Sequence, residues 1–380
     1  MKTKHLIPYL IIILFCVCSL SSKAEKFDAN ALESWLEKTH QLHNLAGLTA
    51  VIVKNGKTVF NRSYGVTNIE TKIVMTTKHL FDMSSMGKTA ITVAVLQLVE
   101  KGMIDLNAPV TQYLPYFKMD DKRASKITVK QLLTHTSGTP NPKDYQYQSP
   151  QTDDLALERW VKQQSDRQLN FTPGEKWGYS DIAFEIVGDI IAKTSSLSFE
   201  DYMKANVFVP LGMINSTFLL ADIPHNLRVT PHAQNAKGTY ALNFYPYNRR
   251  HAPSSAYHTN GNDMATWLTA FSSEERLLKT GLLKADSIKN MWSVHYSDNE
   301  EVKMLLGWFK SIDKERVLYG HSGSDKGFIS AMNVYADRDA GYGLMINTKY
   351  NKMPIKAIEK ALQHTVENKS LPIIPKVINN

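Results

Sequence analysis

Ser85 and Lys88 are the two residues whose types and spacing promise the most chemistry. They stand three positions apart in Phe81-Asp82-Met83-Ser84-Ser85-Met86-Gly87-Lys88, so a helix beginning there presents both on one face. A serine hydroxyl is a poor nucleophile until a neighbour takes its proton. A lysine held in dry surroundings beside other polar groups has its pKa pulled below the ordinary value of about 10.4 and becomes such a base. The residues that follow, 91–99, are apolar nearly all round, the composition of a helix buried in a core. Lys88 is therefore expected to be dry. A helix N-terminus also favours the negative charge that builds up during attack. Gly87-Lys88-Thr89 ends like a phosphate-binding loop, but position 82 is aspartate where that loop needs glycine, and no other glycine is there to wrap a phosphate.

Further segments bear on the same chemistry. Residues 100–106 and 110–116 lead into 127–138, which ends His135-Thr136-Ser137-Gly138. Pro173-Gly174 precedes Tyr179-Ser180-Asp181, and Leu306-Gly307-Trp308 precedes Gly320-His321-Ser322-Gly323-Ser324. In this order, the segments resemble the class C branch of the serine β-lactamase and penicillin-binding-protein superfamily. That branch holds class C β-lactamases, D,D-peptidases and β-lactamase-like esterases.

The resemblance implies roles. Ser85 is the nucleophile, Lys88 its base, and Tyr179 shares protons with the lysine and delivers one to the leaving group. His321 becomes a polar wall, and Gly323 lets main chain approach the substrate. The N–H groups of Ser85 and Ser324 form the oxyanion hole. His135 is expected to be structural. Asp181 stands where the family usually has asparagine. An ionised carboxylate only accepts hydrogen bonds, so an Asp181 that meets substrate favours an unblocked amine; the alternative is that Asp181 caps the helix after it. Two competing readings are weaker. Tyr296-Ser297-Asp298-Asn299 offers another tyrosine but reads as an exposed loop beside Glu300 and Glu301. Residues 320–324 nearly imitate a G-x-S-x-G elbow, but Ser324 replaces the last glycine and no helix follows.

The elements that must hold these groups follow from periodicity. Leu32, Trp35, Leu36 and Leu42 mark a first helix. Residues 48–53 and 58–64 read as strands joined by a tight turn at Asn55-Gly56. Residues 106–292 are mainly helical, with a polar loop at 140–154. Strands return at 304–309, 316–320, 328–335 and 342–346, with turns at Asp313-Lys314 and 337–340, and a helix follows at 354–366. The expected fold is α+β: one antiparallel sheet built from both chain ends and flanked by helices, with a mainly helical lobe inserted. The sheet lobe is expected over about 25–84 and 300–380 and the helical lobe over about 85–299. A cleft between two such lobes suits a ligand.

Lys2 and Lys4 precede an apolar stretch, and Ser22-Lys23-Ala24 supplies small residues for a signal peptidase. Residues 1–24 thus read as a signal peptide removed on export to the periplasm or medium, too short to be a retained anchor. Both cysteines of the chain, Cys16 and Cys18, lie inside it, which leaves residues 25–380 without disulfides or thiolate chemistry. Of the formal charge of +8, Lys2, Lys4 and Lys23 contribute three. No basic run points to nucleic acid, and no histidine pair has the spacing of a zinc site. The expectation is a secreted serine hydrolase that needs no metal or cofactor. It would act through an acyl-enzyme on amide or ester bonds of small-molecule or peptide substrates, D-amino-acid peptides of the cell envelope among them. A β-lactamase is the alternative within the family, weakened by His321 in place of lysine. A catalytically silent peptidoglycan-binding protein is the alternative outside catalysis.

Overall fold

A strand that must be apolar on both faces lies at the heart of the molecule. The computed structural model describes residues 28–298, 303–313, 316–335, 337–349 and 354–376. The expected signal peptide, Lys314 and Asn299 lie outside them. β1 (Gly47–Lys54) is buried along nearly its whole length. Its side chains alternate between two cores, as the period of two in a strand requires. Leu48, Ala50 and Ile52 pack with the terminal helices, and Val51 and Val53 face the core that holds Ala90, Ile91, Val93 and Ala94. β2 (Lys57–Gly65) returns antiparallel through Asn55 and Gly56, both at positive φ (52° and 68°), as a two-residue hairpin turn requires.

The rest of the sheet comes from the C-terminal part: β3 (Phe309–Asp313), β4 (Arg316–Asp325), β5 (Phe328–Tyr335) and β6 (Ala340–Ile346). Its order is β2-β1-β6-β5-β4-β3, followed by Lys303–Met304 and Tyr296–Ser297. The pairs all run antiparallel, so both chain ends do build one sheet.

Helices α1 (Ala29–Leu42) and α5 (Ile355–Val366) cover one face with Leu32, Trp35, Leu36, Ile358 and Leu362. On the other face lie α2 (Gly87–Glu100), the buried helix expected after Ser85, and α3 (Asp181–Ser195), which packs against α2. α4 (Gly261–Phe271) packs on β1, β2 and β6. The sequence reading counted it in the helical lobe, yet it lies on the sheet.

Other expectations need local correction. Residues 304–309 are not one strand: pairing stops after Met304 and resumes at Phe309, and the Gly307 N–H donates instead to the Leu133 carbonyl at 3.0 Å. Leu305, Leu306 and Trp308 are fully buried all the same, so the apolar run signalled core rather than strand. Leu42 is exposed and ends α1 without joining the core. Tyr296 belongs to the edge strand Tyr296–Ser297, not to a loop. Within 106–292 the helices are short, and a hairpin, His232–Asn235 with Gly238–Ala241, lies among them. Among the described residues no helix is long and apolar enough to cross a membrane.

Candidate active site

The turn that carries Ser85 is held from three sides. Ser84–Met86 form one 3₁₀ turn ahead of α2, with Ser84 at φ 51°, a backbone conformation non-glycine residues seldom adopt. The Ser84 N–H donates to Asp82 Oδ1 at 2.7 Å, the Met83 N–H to the Tyr257 carbonyl at 2.6 Å, and Ser330 Oγ to the Met83 carbonyl at 2.8 Å. Ser85 is left half-buried, with its side chain reachable. One turn on, Lys88 is fully buried. Its ammonium donates to Ser85 Oγ at 3.1 Å, to Asp181 Oδ1 at 2.7 Å and to the Ser254 carbonyl at 2.6 Å. The Tyr179 hydroxyl is a further hydrogen-bond partner of this ammonium.

Asp181 is the principal surprise. Ser180, not Asp181, caps α3, accepting from the Ala183 N–H at 3.1 Å. Asp181 opens the helix and turns its carboxylate inward, where Oδ1 takes Lys88 and Oδ2 takes the Tyr145 hydroxyl. Its backbone N–H is fixed by Asn141 Oδ1 at 2.7 Å. So Asp181 is neither the cap nor an open acceptor for a substrate amine; it is the counter-ion of the active-site lysine. This also corrects the expectation for Lys88. Burial on its own would lower the Lys88 pKa, but Asp181 and then Tyr179 outweigh it, and the amine ends above its ordinary value. The resting lysine is a cation.

Tyr179 reaches the same centre. Its hydroxyl interacts with Lys88 and Ser85, and the lysine nitrogen is 5.2 Å from the ring centroid. Burial raises the phenol pKa against the pull of the Lys88 charge. His135 is positioning, as expected: its Nδ1 accepts from the Ser180 N–H at 3.1 Å and its ring lies 4.3 Å from that of Tyr179. Burial and the Lys88 charge hold it neutral.

β4 forms the opposite wall. Its pairing with β3 ends at Gly320, so residues 321–325 run past the Ser85 turn without a β3 neighbour. His321 is buried, its Nδ1 2.6 Å from the Ser322 carbonyl, which fixes the proton there and leaves Nε2 as an acceptor. Burial first, then the Lys88 charge, lowers its pKa to about 3; it is a neutral wall. Ser324 is exposed on the same run. Gly323 requires a correction. A Cβ on it would lie 2.0 Å from the Met83 carbonyl oxygen and 2.5 Å from Ser330 Oγ. Its bareness therefore serves the close approach of β4 to the nucleophile turn, not to a substrate.

Sequence reasoning missed the residues that frame this centre. Tyr145, Tyr147 and Asn141 come from the polar loop 140–154, where nothing but an aromatic pair among polar residues could have singled them out. Tyr147 donates to Asp325 Oδ2 at 2.6 Å and stacks on Tyr145 at 5.4 Å. Beneath the site, Glu185 of α3 joins His251 Nδ1 at 2.7 Å and Ser254 Oγ at 2.8 Å, which fixes the short helix whose Ser254 carbonyl holds Lys88.

Over residues 32–365 the chain matches the Beta-lactamase family. It is 25% identical over 361 residues to Protein flp of Staphylococcus aureus (strain MW2), a match that spans 92% of this chain and 68% of that protein. The octameric penicillin-binding protein homologue from Pyrococcus abyssi shares the fold with a TM-score of 0.77, at 22% identity over 91% of this chain and 80% of that one. D-amino acid amidase from Ochrobactrum anthropi SV3 shares it with a TM-score of 0.74, at 19% identity over 89% and 98%. The family match takes in both lobes and every group that surrounds Ser85; this chain belongs to the Beta-lactamase family and is a serine hydrolase of the β-lactamase and penicillin-binding-protein superfamily.

Proposed function

We propose that this hydrolase forms an acyl-enzyme on Ser85 and cleaves amide or ester bonds of D-amino-acid-containing or small acyl substrates. The observation that carries the reading is the fully buried Lys88 ammonium 3.1 Å from Ser85 Oγ. Because that lysine rests as a cation, the productive state is the one in which the Lys88–Asp181–Tyr179 cluster has given up one proton. Lys88 then takes the proton of Ser85 as the oxygen attacks the substrate carbonyl. The N–H groups of Ser85 and Ser324 hold the oxyanion. The Tyr179 hydroxyl passes a proton to the leaving group and refills from Lys88. Water then frees the acyl group by the reverse proton path. A neutral His321 offers no charge to a β-lactam carboxylate, which favours the peptidase or esterase reading. Residues 25–380 are the hydrolase unit in this reading, and residues 1–24 carry it out of the cytoplasm.

The test is labelling with a fluorophosphonate, joined to a hydrolysis screen over D-aminoacyl amides, short-chain esters and nitrocefin. Labelled Ser85 with turnover of amides or esters is expected. Faster turnover of nitrocefin would make the protein a β-lactamase, and no labelling at all would leave a silent binding protein.

The ion pair also sets an expected pH dependence. Asp181 raises the Lys88 pKa, so the activity limb that reports loss of the cluster's proton lies on the alkaline side. In Asp181→Asn the counter-charge is gone and burial dominates, so the Lys88 pKa falls and the limb moves toward lower pH. The kcat/KM profile from pH 5 to 10 in both proteins checks this; superimposable limbs would show that the Lys88 proton does not govern the rate.

A further inference from the structure

Apart from the serine and tyrosine it serves, Lys88 is anchored on the Asp181 carboxylate and the Ser254 carbonyl. Behind both anchors lies one buried polar cluster. Its centre is Glu185, one turn after Asp181 on α3 and so on the same helix face. Glu185 Oε1 accepts from His251 Nδ1 at 2.7 Å and from Ser254 Oγ at 2.8 Å, and Oε2 accepts from Trp160 Nε1. The other ring nitrogen of His251, Nε2, accepts from Arg250 Nε at 3.0 Å. A guanidinium only donates, so the imidazole proton sits on Nδ1 and points at Glu185. Glu185 and His251 have no exposed surface and Arg250 is 4% exposed. Such burial is costly for charged groups, and apolar side chains of similar volume often serve stability as well or better. What apolar packing cannot do is aim a carbonyl. Glu185 grips the side chains of both His251 and Ser254, and so holds the short helix Ala252–Ser255, whose Ser254 carbonyl meets Lys88 at 2.6 Å. The same His251 ring lies 4.9 Å from that of Tyr145, whose hydroxyl holds the second Asp181 oxygen. Both anchors of the lysine lead back to His251.

We infer that Glu185 and His251 are a positioning pair for Lys88, aiming its ammonium at Ser85 through the Ser254 carbonyl and, by way of Tyr145, through Asp181; this role rests on the hydrolase reading above. The two residues act only through the lysine. Arg250 supplies the positive charge that a buried Glu185 needs, with the imidazole between them as a neutral spacer that passes the hydrogen bonding on. Its guanidinium is itself held 4.6 Å from the Trp160 ring centroid, so the cluster is braced on the indole that also donates to Glu185.

The experiment reads both the rate and the lysine itself. Glu185→Gln replaces one acceptor oxygen by a donor, so the grip on residues 251 and 254 loosens. It should lower kcat by about tenfold to a hundredfold, the cost of a reacting group displaced by about 1 Å, with KM nearly unchanged. His251→Asn keeps an N–H close to where Nδ1–H stands and should retain most of the activity that His251→Ala loses, although both lack the ring. The titration of Lys88 is followed by nuclear magnetic resonance on protein carrying isotope-labelled lysine, with the signal identified by its loss in Lys88→Ala. Its midpoint should fall in Glu185→Gln, because an acceptor that favours the charged amine has moved away. Asp181, Tyr179, His135 and His321, the other titratable groups around the ammonium, stay in place in that variant. Wild-type kcat with an unmoved midpoint in Glu185→Gln would overturn the pair, as would a His251→Asn protein no more active than His251→Ala. Ser254→Ala deletes only one hydroxyl of the grip; it should show both changes to a smaller degree, and it decides the matter if Glu185→Gln fails to fold. A wild type with neither fluorophosphonate label nor turnover would sink the hydrolase reading, while a Lys88 midpoint that still fell in Glu185→Gln would keep the positioning pair.

Discussion

Ser85→Ala is expected to lose all fluorophosphonate labelling and to cut turnover of the best ester or amide by at least about 10³-fold, because the bond-forming oxygen is gone. Its melting temperature should stay close to that of the wild type, since the residue is half-buried and Lys88 keeps its bonds to Asp181 and the Ser254 carbonyl without it. Lys88→Ala should lose activity to a similar degree, as a hydroxyl with no base is not activated. Its stability should differ sharply. Removing the lysine leaves the Asp181 carboxylate, 8% exposed, with Tyr145 but no counter-charge, and breaking one side of a buried ion pair costs about 3–5 kcal/mol. Adding Asp181→Asn to Lys88→Ala should recover part of that loss without recovering activity. Denaturant unfolding and single-turnover assays on the three proteins separate the roles. Turnover retained in either Ser85→Ala or Lys88→Ala would remove the mechanism.

Tyr179→Phe should reduce kcat by about 10²–10⁴-fold, the range for one positioned acid or base. The ring contacts survive the change: His135 still lies 4.3 Å away, and Lys88 still sits over the ring at 5.2 Å. A loss of rate without a loss of stability therefore reports proton transfer. An ester with a good leaving group such as 4-nitrophenolate, which departs without a proton, should suffer less in the variant than an amide. Tyr296→Phe serves as the control. Tyr296 stands on the outermost strand of the sheet, beyond Lys303–Met304 and β3 from the strand that carries His321. If Tyr296→Phe loses activity and Tyr179→Phe keeps it, the tyrosine has been assigned wrongly.

What could be read in the sequence was what local geometry fixes. The i, i+3 spacing of Ser85 and Lys88 is a property of one helical turn, and the apolar run behind it announced that the turn would be buried. The Asn55-Gly56 hairpin, the two terminal helices and most of the sheet were legible because periods of 3.6 and 2 are written along the chain. Where a period was absent the reading slipped: residues 305–308 are apolar because the core surrounds them, and no alternation existed to tell a strand from a buried loop.

The sequence by itself thus determined the family, the sheet built from both chain ends, and the placing of Ser85 and Lys88 on one buried helical turn. The tertiary structure alone decided what Asp181 and Gly323 do. From sequence, Asp181 was a cap or a substrate acceptor; folded, it meets Lys88 from a helix distant in the chain and Tyr145 from a polar loop. Gly323 was read as room for a substrate, yet the Met83 carbonyl, from the far side of the sequence, occupies that space. Both outcomes depend on which groups share a water-poor volume. There a charge must find its partner within hydrogen-bonding distance and a close backbone contact leaves no space for a Cβ, and that sharing is set by the packing of the two lobes, not by spacing along the chain.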